Sequence, residues 1–354
     1  MSRQSLGLLV FTLLLLAVGL LSFVPRPELQ ETALAPLPLF DLQGHRGARG
    51  LYPENSLPGF EAALAIGVTT LEMDLGMTRD GVLVVSHDRR LDPRRTRDAA
   101  GAWIDPPGPP LNALNFAELQ SYDIGRSRPG SDYGDRFPDQ RGLDHVAIPS
   151  LRQVLTRMEE LSGGTLRYNL EIKTSPLDPD GTARPRDMAA ALVQLLRDFD
   201  LTDRASVQSF DWRSLAALEE LAPEITRVYL TVEQSWFDNL ERGRPGLSPW
   251  LAGLDMDRLQ VTPPHAIKSL GGRVWSPYFR DLRAAELREA QSLGLKVVPW
   301  TVNDPQDMRS LVLLGVDGII TDYPNRLREV LEDLGKPLPA AHPVAGVSLG
   351  ALPQ

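Results

Sequence analysis

Short apolar segments typical of buried strands alternate along this chain with longer segments of helical periodicity, and this order limits the possible folds. Candidate strands lie at 39–43, 70–75, 82–86, 166–172, 205–208, 226–230, 273–276, 296–301 and 318–321. Helical periodicity occurs at 57–66, 151–161, 188–199, 214–221, 282–293 and 307–314. About eight strand-then-helix units in about 300 residues predict an α/β fold, a (β/α)8 TIM barrel over residues 36–335. A doubly wound open sheet is the alternative, but no G-x-G-x-x-G fingerprint follows the first strand.

Residues 89–148 interrupt this alternation. They are rich in Pro, Gly, Asp and Arg and include the run Asp105-Pro106-Pro107-Gly108-Pro109-Pro110. A segment of this length is more typical of a functional excursion than of a connecting loop. We therefore expect a long insertion after the second strand region, lying over one face of the barrel as part of a substrate lid. Residues 336–354 have no clear periodicity, and we expect an irregular C-terminal tail.

The N-terminal segment is apolar enough to cross a membrane. Residues 5–24 contain no charged side chain, and Arg3 precedes them. A stretch of about 20 such residues can span a bilayer, and the positive-inside bias places the following domain outside the cytoplasm. We predict a signal anchor and linker over residues 1–35, with the catalytic domain in the periplasm or at the cell surface. A cleaved signal peptide, giving a secreted protein, is the alternative.

Charge and cysteine content exclude several classes of function. The formal net charge is −9, and the basic residues form no long run, so we expect no nucleic acid partner. The chain has no cysteine, which excludes disulfides, a thiolate nucleophile and a cysteine-ligated zinc site. We infer no protein partner from the sequence.

Carboxylates on two candidate strands indicate a metal site. Glu72 and Asp74 are separated by one apolar residue, so on a strand both side chains point to the same face. Glu171 occupies an equivalent inward position on the strand at 166–172, followed on the same face by Lys173. Three oxygen donors and no cysteine favour one hard divalent cation, Ca²⁺ or Mg²⁺.

Two histidines end strands near these carboxylates in sequence. His45 follows the first candidate strand and His87 follows the strand at 82–86. In a TIM barrel such positions belong to the active-site face. The unperturbed pKa of histidine suits proton transfer near neutral pH, so both residues are candidates for acid–base catalysis.

Several motifs share one order with a known enzyme family over residues 39–331. They are His45-Arg46-Gly47, Pro53-Glu54-Asn55, Glu72-x-Asp74, Thr78-x-Asp80-Gly81, His87-Asp88, Glu171-x-Lys173, Trp300-Thr301-Val302-Asn303 and the run from Gly315 to Pro324. The chain resembles the glycerophosphodiester phosphodiesterase family, and its insertion resembles that of the longer, periplasmic bacterial type. The resemblance implies a metal-dependent TIM barrel that hydrolyses glycerophosphodiesters to an alcohol and glycerol 3-phosphate.

The resemblance also implies roles for individual residues. Glu72, Asp74 and Glu171 would hold the metal, His45 and His87 would form the acid–base pair, and Arg46 and Lys173 would hold the phosphate. The sequence leaves open which histidine is the base; we favour His45 as base and His87 as acid. By position, Trp300 is expected either on the glycerol moiety or as an ordinary aromatic at the barrel mouth. Glu54 and Asn55 are expected to orient His45 or Arg46, with a plain helix start as the alternative for Asn55. One departure is Gln208, where a smaller residue is expected, with an effect on substrate contacts. Direct attack by water and a cyclic phosphate intermediate both remain open.

Two other functions remain open from the sequence. A lysophospholipase D-like or other phospholipid phosphodiesterase at the membrane surface would use the anchor and the insertion. A tethered phosphodiester-binding protein would need neither histidine, because binding a phosphodiester requires no proton donor or acceptor.

Overall fold

The computed structural model describes residues 39–347, and its central feature is a barrel of parallel strands surrounded by helices. The strands are β1 Asp41–Gly44, β2 Thr70–Met77, β3 Leu83–Val85, β4 Arg167–Ile172, β5 Ala205–Ser209, β6 Thr226–Thr231, β7 Glu233–Gln234, β8 Phe237–Asp238, β9 Val274–Pro277, β10 Lys296–Val297 and β11 Gly318–Thr321. The helices are α1 Leu57–Ile66, α2 Phe116–Leu119, α3 Asp132–Arg136, α4 Leu151–Ser162, α5 Pro185–Asp198, α6 Trp212–Leu221, α7 Met256–Leu259, α8 Pro263–Ser269, α9 Ala284–Ser292, α10 Pro305–Leu314 and α11 Pro324–Asp333.

Eight parallel strands form the barrel in the order β10-β9-β6-β5-β4-β2-β1-β11, and β3 pairs antiparallel with β2 outside this path. Backbone hydrogen bonds bring the two ends of the order together, from Asp317 N to Val297 O at 2.9 Å and from Val302 N to Ile320 O at 3.0 Å. The predicted TIM barrel is therefore confirmed.

The seventh barrel strand is shorter than the sequence predicts. We expected a strand over 296–301, but only Lys296–Val297 is extended in the ladder. Pro299 interrupts it because proline has no N–H to donate to a neighbouring strand. The chain returns to the sheet at Trp300, which forms an isolated parallel bridge with Tyr278.

Local capping signals explain where the helices begin. The Ser150 side chain accepts from the N–H of Gln153, and the Gln153 side chain returns to the Ser150 backbone, so α4 begins with a capping box. The sequence prediction missed α8 and α11, although each has proline at its first turn, a known start signal.

The region between β3 and α4 packs around its own apolar cluster. It contains α2, α3 and a 3₁₀ turn at Leu111–Ala113. The cluster consists of Val84, Leu91, Leu111, Leu119, Ile124, Val146 and Ile148. Tyr133, in α3, reaches from this region to the barrel and donates a hydrogen bond of 2.6 Å to Glu54 Oε2. The contact ties the segment to the face of the barrel that follows the strand ends.

The N-terminal anchor predicted over residues 1–35 lies outside the described residues. Within 39–347, no helix is long and apolar enough to cross a membrane. Residues 336–347 contain no helix or strand.

Candidate active site

A cavity of about 450 Å³ opens at the carboxyl ends of the barrel strands. The strand order brings most of the predicted site residues to its walls, although they are distant in sequence. These lining residues are His45, Arg46, Glu72, His87, Glu171, Lys173 and Trp300. A second cavity of similar volume lies at the opposite end of the barrel, but catalytic groups of TIM barrels occupy the carboxyl end.

Glu72, Asp74 and Glu171 form a buried carboxylate triad. Asp74 of β2 and Glu171 of β4 are partners in the strand register. Each of the three residues offers one oxygen, and these oxygens lie within 4.8 Å of one another. The exposed fractions are 1%, 1% and 5%. The predicted metal ligands are therefore brought together in the geometry of one small cation site.

The triad has fewer neighbouring cations than carboxylates. Lys173 Nζ lies 3.1 Å from Asp74 Oδ1 and 2.7 Å from Glu171 Oε1, and Arg46 Nε lies 3.1 Å from Asp74 Oδ2. Burial and the charge of the neighbouring carboxylates raise the pKa of Glu72 well above its usual range. Burial, opposed by Lys173, raises the pKa of Glu171 to about 7.

Asp74 differs from its two neighbours in charge state. Burial opposes its ionisation, but Lys173 and Arg46 hold the pKa of Asp74 well below its usual range. Asn55 Nδ2 donates to Asp74 Oδ2 at 2.8 Å. Three carboxyl groups with no sulfur or imidazole among them fit a hard divalent cation, whose binding would displace the protons that the raised pKa values of Glu72 and Glu171 favour.

His45 is held in one tautomer by a carboxylate that the sequence reasoning did not assign. His45 Nδ1 lies 2.6 Å from Asp322 Oδ1. Burial opposes ionisation of Asp322, but Arg49 and His45 hold the pKa of this carboxyl well below its usual range. Asp322 is therefore an acceptor only, and His45 Nδ1 carries the proton.

The other ring nitrogen of His45 carries no proton. Arg46 Nε donates to His45 Nε2 at 3.3 Å, which requires a lone pair there. Burial, followed by the charge of Arg49, lowers the pKa of His45 to about 4. The imidazole is thus neutral at neutral pH, which is the protonation state that a base requires. Asp322 follows β11, so the strand-end rule that singled out His45 applies to it as well.

His87 lies at the rim of the same cavity with its own carboxylate. Its Nδ1 lies 2.8 Å from Asp88 Oδ1, and Arg95 Nη2 donates to Asp88 Oδ2 at 2.9 Å. Burial, followed by the charges of Arg46 and Lys173, lowers the pKa of His87. A third of its side chain is exposed, which leaves it open to a departing group and to solvent.

Glu54 and Asn55 lie beneath the cavity but contact different partners. Glu54 Oε1 accepts from Arg46 Nη1 at 2.9 Å, which agrees with the expected role of orienting Arg46. The Asn55 side chain bonds Asp74 rather than His45 or Arg46, although its backbone N–H donates to Arg46 O at 3.0 Å. Asn55 therefore contributes to the carboxylate triad.

Aromatic rings form one wall of the cavity. Trp300 packs edge-on against Phe210, with ring centroids 5.2 Å apart, and Phe237 packs against Phe210 at the same spacing. Trp236, between β7 and β8, is 60% exposed and lies 6.5 Å from the Trp300 ring. Of these, only Trp300 was predicted. Trp236 and Phe237 belong to a hairpin of two short strands that leaves no periodicity in sequence, whereas Phe210 directly follows β5 and could have been found by the strand-end rule.

Comparisons with known proteins identify the family to which this chain is similar. The model of the glycerophosphoryl diester phosphodiesterase family matches residues 45–326. A glycerophosphodiester phosphodiesterase from Bacillus subtilis (strain 168) is 27% identical over 91% of this chain and 97% of the relative. A solved structure of a Silicibacter pomeroyi DSS-3 protein assigned to the same family has a TM-score of 0.76 and 36% identity, covering 86% of this chain and 97% of its own.

A more distant structural neighbour supports the fold. It is a phosphodiesterase from Oleispira antarctica, solved in complex with the product sn-glycerol-3-phosphate, with a TM-score of 0.58 and 22% identity. The match covers 82% of this chain and 96% of the neighbour.

Proposed function

Because this chain belongs to the glycerophosphoryl diester phosphodiesterase family, we propose that it hydrolyses glycerophosphodiesters to an alcohol and glycerol 3-phosphate. The observation that carries the proposal is the buried triad of Glu72, Asp74 and Glu171, two members of which, Glu72 and Glu171, line one cavity with His45 and His87. A binding protein would need no such pair of histidines, each with a carboxylate on its Nδ1.

The triad would hold one divalent cation, Ca²⁺ or Mg²⁺. When bound, this cation would stabilise the negative charge that develops on the phosphoryl oxygens. Lys173 and Arg46 supply fixed positive charge beside the triad, and both line the cavity. They would contact the phosphate, where charge-assisted hydrogen bonds are strongest.

His45 would act as the base and His87 as the acid. His45 is neutral, and its Nε2 accepts from Arg46 Nε. Once Arg46 contacts the phosphate, this Nε2 would take a proton from water or from the neighbouring glycerol hydroxyl. His87, more exposed, would give a proton to the leaving alkoxide. A phosphodiester anion close to His87 favours its protonated form, which the acid role requires.

The aromatic wall favours a lysophospholipid as a second candidate substrate. Trp300, Phe210 and Phe237 would pack against its acylated glycerol, and the exposed Trp236 would extend this contact along the acyl chain beyond the cavity. The leaving alcohol would then be the polar head group. We also propose that residues 1–35 anchor the chain with its barrel outside the cytoplasm, an arrangement supported by the uncharged stretch at 5–24.

Release of glycerol 3-phosphate from water-soluble diesters, and of lysophosphatidic acid from a lysophospholipid, by the full-length chain tests the activity and its substrate class. Glycerophosphocholine, glycerophosphoethanolamine and lysophosphatidylcholine are each assayed with Ca²⁺, with Mg²⁺ and with EDTA, beside His45→Ala. We expect metal-dependent release from the water-soluble diesters that His45→Ala abolishes. Turnover of lysophosphatidylcholine alone would move the assignment to lipids, and a folded, metal-binding protein without product from any substrate would overturn the proposal.

A further inference from the structure

We propose that Gln208 is a positioning residue for Glu72, and that a buried chain of amides running through the barrel fixes the orientation of its side chain. The inference rests on the proposed metal role of Glu72. Gln208 departs from the smaller residue expected at this position, and the proposed hydrolytic mechanism assigns it no role.

Gln208 supplies one of two hydrogen bonds that hold the Glu72 carboxylate. Its Nε2 donates to Glu72 Oε1 at 2.8 Å, while the backbone N–H of Arg46 donates to Glu72 Oε2 at 2.9 Å. Gln208 is 2% exposed, so bulk water has little access to replace its amide. Both carboxylate oxygens are thus placed by donors from two different strand ends.

A glutamine amide can turn by half a rotation, which would point its oxygen at Glu72 and repel it. Asn169 prevents this turn, because its Nδ2 donates to Gln208 Oε1 at 3.0 Å. The same Nδ2 donates to Gln43 Oε1 at 2.9 Å, and Gln43 Nε2 donates to Asp41 Oδ2 at 2.8 Å. Each amide oxygen of the two glutamines therefore already accepts a hydrogen bond from Asn169.

The hydrogen bonds of these amides are all donated in one direction, outward from Asn169. The NH₂ group of Asn169 lies at the centre and donates both ways, and each glutamine donates outward to a carboxylate, which accepts only. The carboxylate at one end is Asp41, beside the cavity at the amino-terminal end of the barrel. The carboxylate at the other end is Glu72 in the triad. Reversing any one amide would place donor against donor or acceptor against acceptor.

Buried amides at inward positions of the barrel are unusual, and this indicates a specific role for them. Inward positions of TIM barrels are mostly filled by bulky branched apolar residues. Gln43, Asn169 and Gln208 are instead polar and at most 4% exposed, which is costly unless their hydrogen bonds are made. Partners that orient a metal ligand typically change metal affinity by about 10–100-fold when removed.

Metal affinity of the full-length chain tests the proposal by isothermal titration with Mg²⁺ and with Ca²⁺. Gln208→Met keeps the shape and length of the side chain but removes the donor, and we expect the dissociation constant to rise about tenfold. Asn169→Leu changes no charge and has no bond to the triad. We expect it to raise the dissociation constant as well, because Gln208 is then free to turn.

The double variant separates positioning from general loosening of the barrel. If Asn169 acts through Gln208, adding Asn169→Leu to Gln208→Met causes no further loss of metal affinity, whereas independent structural damage would multiply the two losses. Asn239→Leu is the matched control, because Asn239 is equally buried and bonds only backbone groups. We expect it to lower the free energy of unfolding and leave the dissociation constant unchanged.

Unfolding of the metal-free proteins shows which variants are folded enough to compare. If Gln208→Met does not fold, the metal dissociation constants of Asn169→Leu and Asn239→Leu can still be compared, and this comparison decides the question. Wild-type affinity in a folded Asn169→Leu, or multiplied losses in the double variant, would overturn the role of Gln208 while leaving the hydrolytic function in place. Absence of metal binding by the wild-type chain would instead refute the proposed metal site.

Discussion

Replacing Asp322 by asparagine should disable His45 while keeping the shape of the site. Asp322 Oδ1 accepts from His45 Nδ1 and from Arg49 Nε at 2.7 Å. Its Oδ2 accepts from Arg49 Nη2 at 3.0 Å and from Asn303 Nδ2 at 2.7 Å. All four contacts are therefore made by donors, and a carboxylate satisfies them without a donor of its own.

An asparagine at position 322 has no orientation that satisfies these four donors. With its NH₂ in place of Oδ2, it faces the Arg49 and Asn303 donors, and Asn303 is fixed because its Oδ1 accepts from the Asp322 backbone N–H at 3.0 Å. With its NH₂ in place of Oδ1, it forces His45 Nδ1 to become the acceptor. The ring proton then moves to Nε2, and the base is lost.

The expected loss follows from the size of general-base catalysis. Such catalysis contributes about 10²–10⁴-fold to the reaction rate, so Asp322→Asn should lower kcat by that factor. The loss corresponds to an increase of roughly 3–5 kcal/mol in the activation free energy. We expect KM to change little, because Asp322 does not line the substrate cavity.

Steady-state kinetics on glycerophosphocholine at saturating metal measures this loss, beside an unfolding curve for each variant. Asp211→Asn is the matched control, since Asp211 is also fully buried after a barrel strand but bonds Arg213 and Thr174 instead of a histidine. A folded Asp322→Asn enzyme with kcat within about threefold of wild type would refute the tautomer argument.

Three further predictions address charge, substrate and packing. In metal-free protein, the free energy of unfolding of Glu171→Gln should rise relative to that of wild type as pH rises from 4.5 through 7, by up to about 3 kcal/mol. Because the pKa of Glu171 is raised in the folded state, folded wild type keeps a proton over this range that the unfolded chain has already lost, and wild type therefore loses stability as pH rises. Denaturant unfolding at several pH values checks this prediction, and a difference between the two proteins that does not change with pH would contradict it. Trp236→Ala should raise KM for lysophosphatidylcholine by about fivefold and leave kcat unchanged, since only ring contact is lost. Equal KM values for wild type and Trp236→Ala would argue against the aromatic wall. Tyr133→Phe should lower the free energy of unfolding by about 1.5–3 kcal/mol, because its hydroxyl donates to the buried Glu54 carboxylate; an unchanged denaturation midpoint would show that this bond contributes nothing.

Features carried by local sequence pattern were predictable. The alternation of Glu72, Met73 and Asp74 fixes which side chains share a strand face, and the strand register then brings Asp74 beside Glu171. The positions of His45 and His87 after apolar segments place both on the catalytic face once a barrel is assumed.

Pairings between distant residues were not predictable from this single sequence, although the strand-end rule by itself selects Asp322 as a candidate site residue. Asp322 meets His45 across 277 positions and Gln208 meets Glu72 across 136. Neither partner is implied by periodicity, because both contacts arise from strand order in the closed barrel. Trp236 belongs to a hairpin too short for any periodic signal, and the effect of Pro299 on the seventh strand was overlooked although its missing N–H is local.

Metal titration of the stripped enzyme tests the central claim most directly. The full-length chain is freed of metal with EDTA, dialysed, and titrated with Mg²⁺ or Ca²⁺ while bound cation and glycerol 3-phosphate release are measured on the same samples. We predict activity that rises in proportion to one bound cation per chain, and neither binding nor activity in Glu72→Gln. Full activity in the stripped protein, or activity that does not follow the occupancy of this site, would contradict the account.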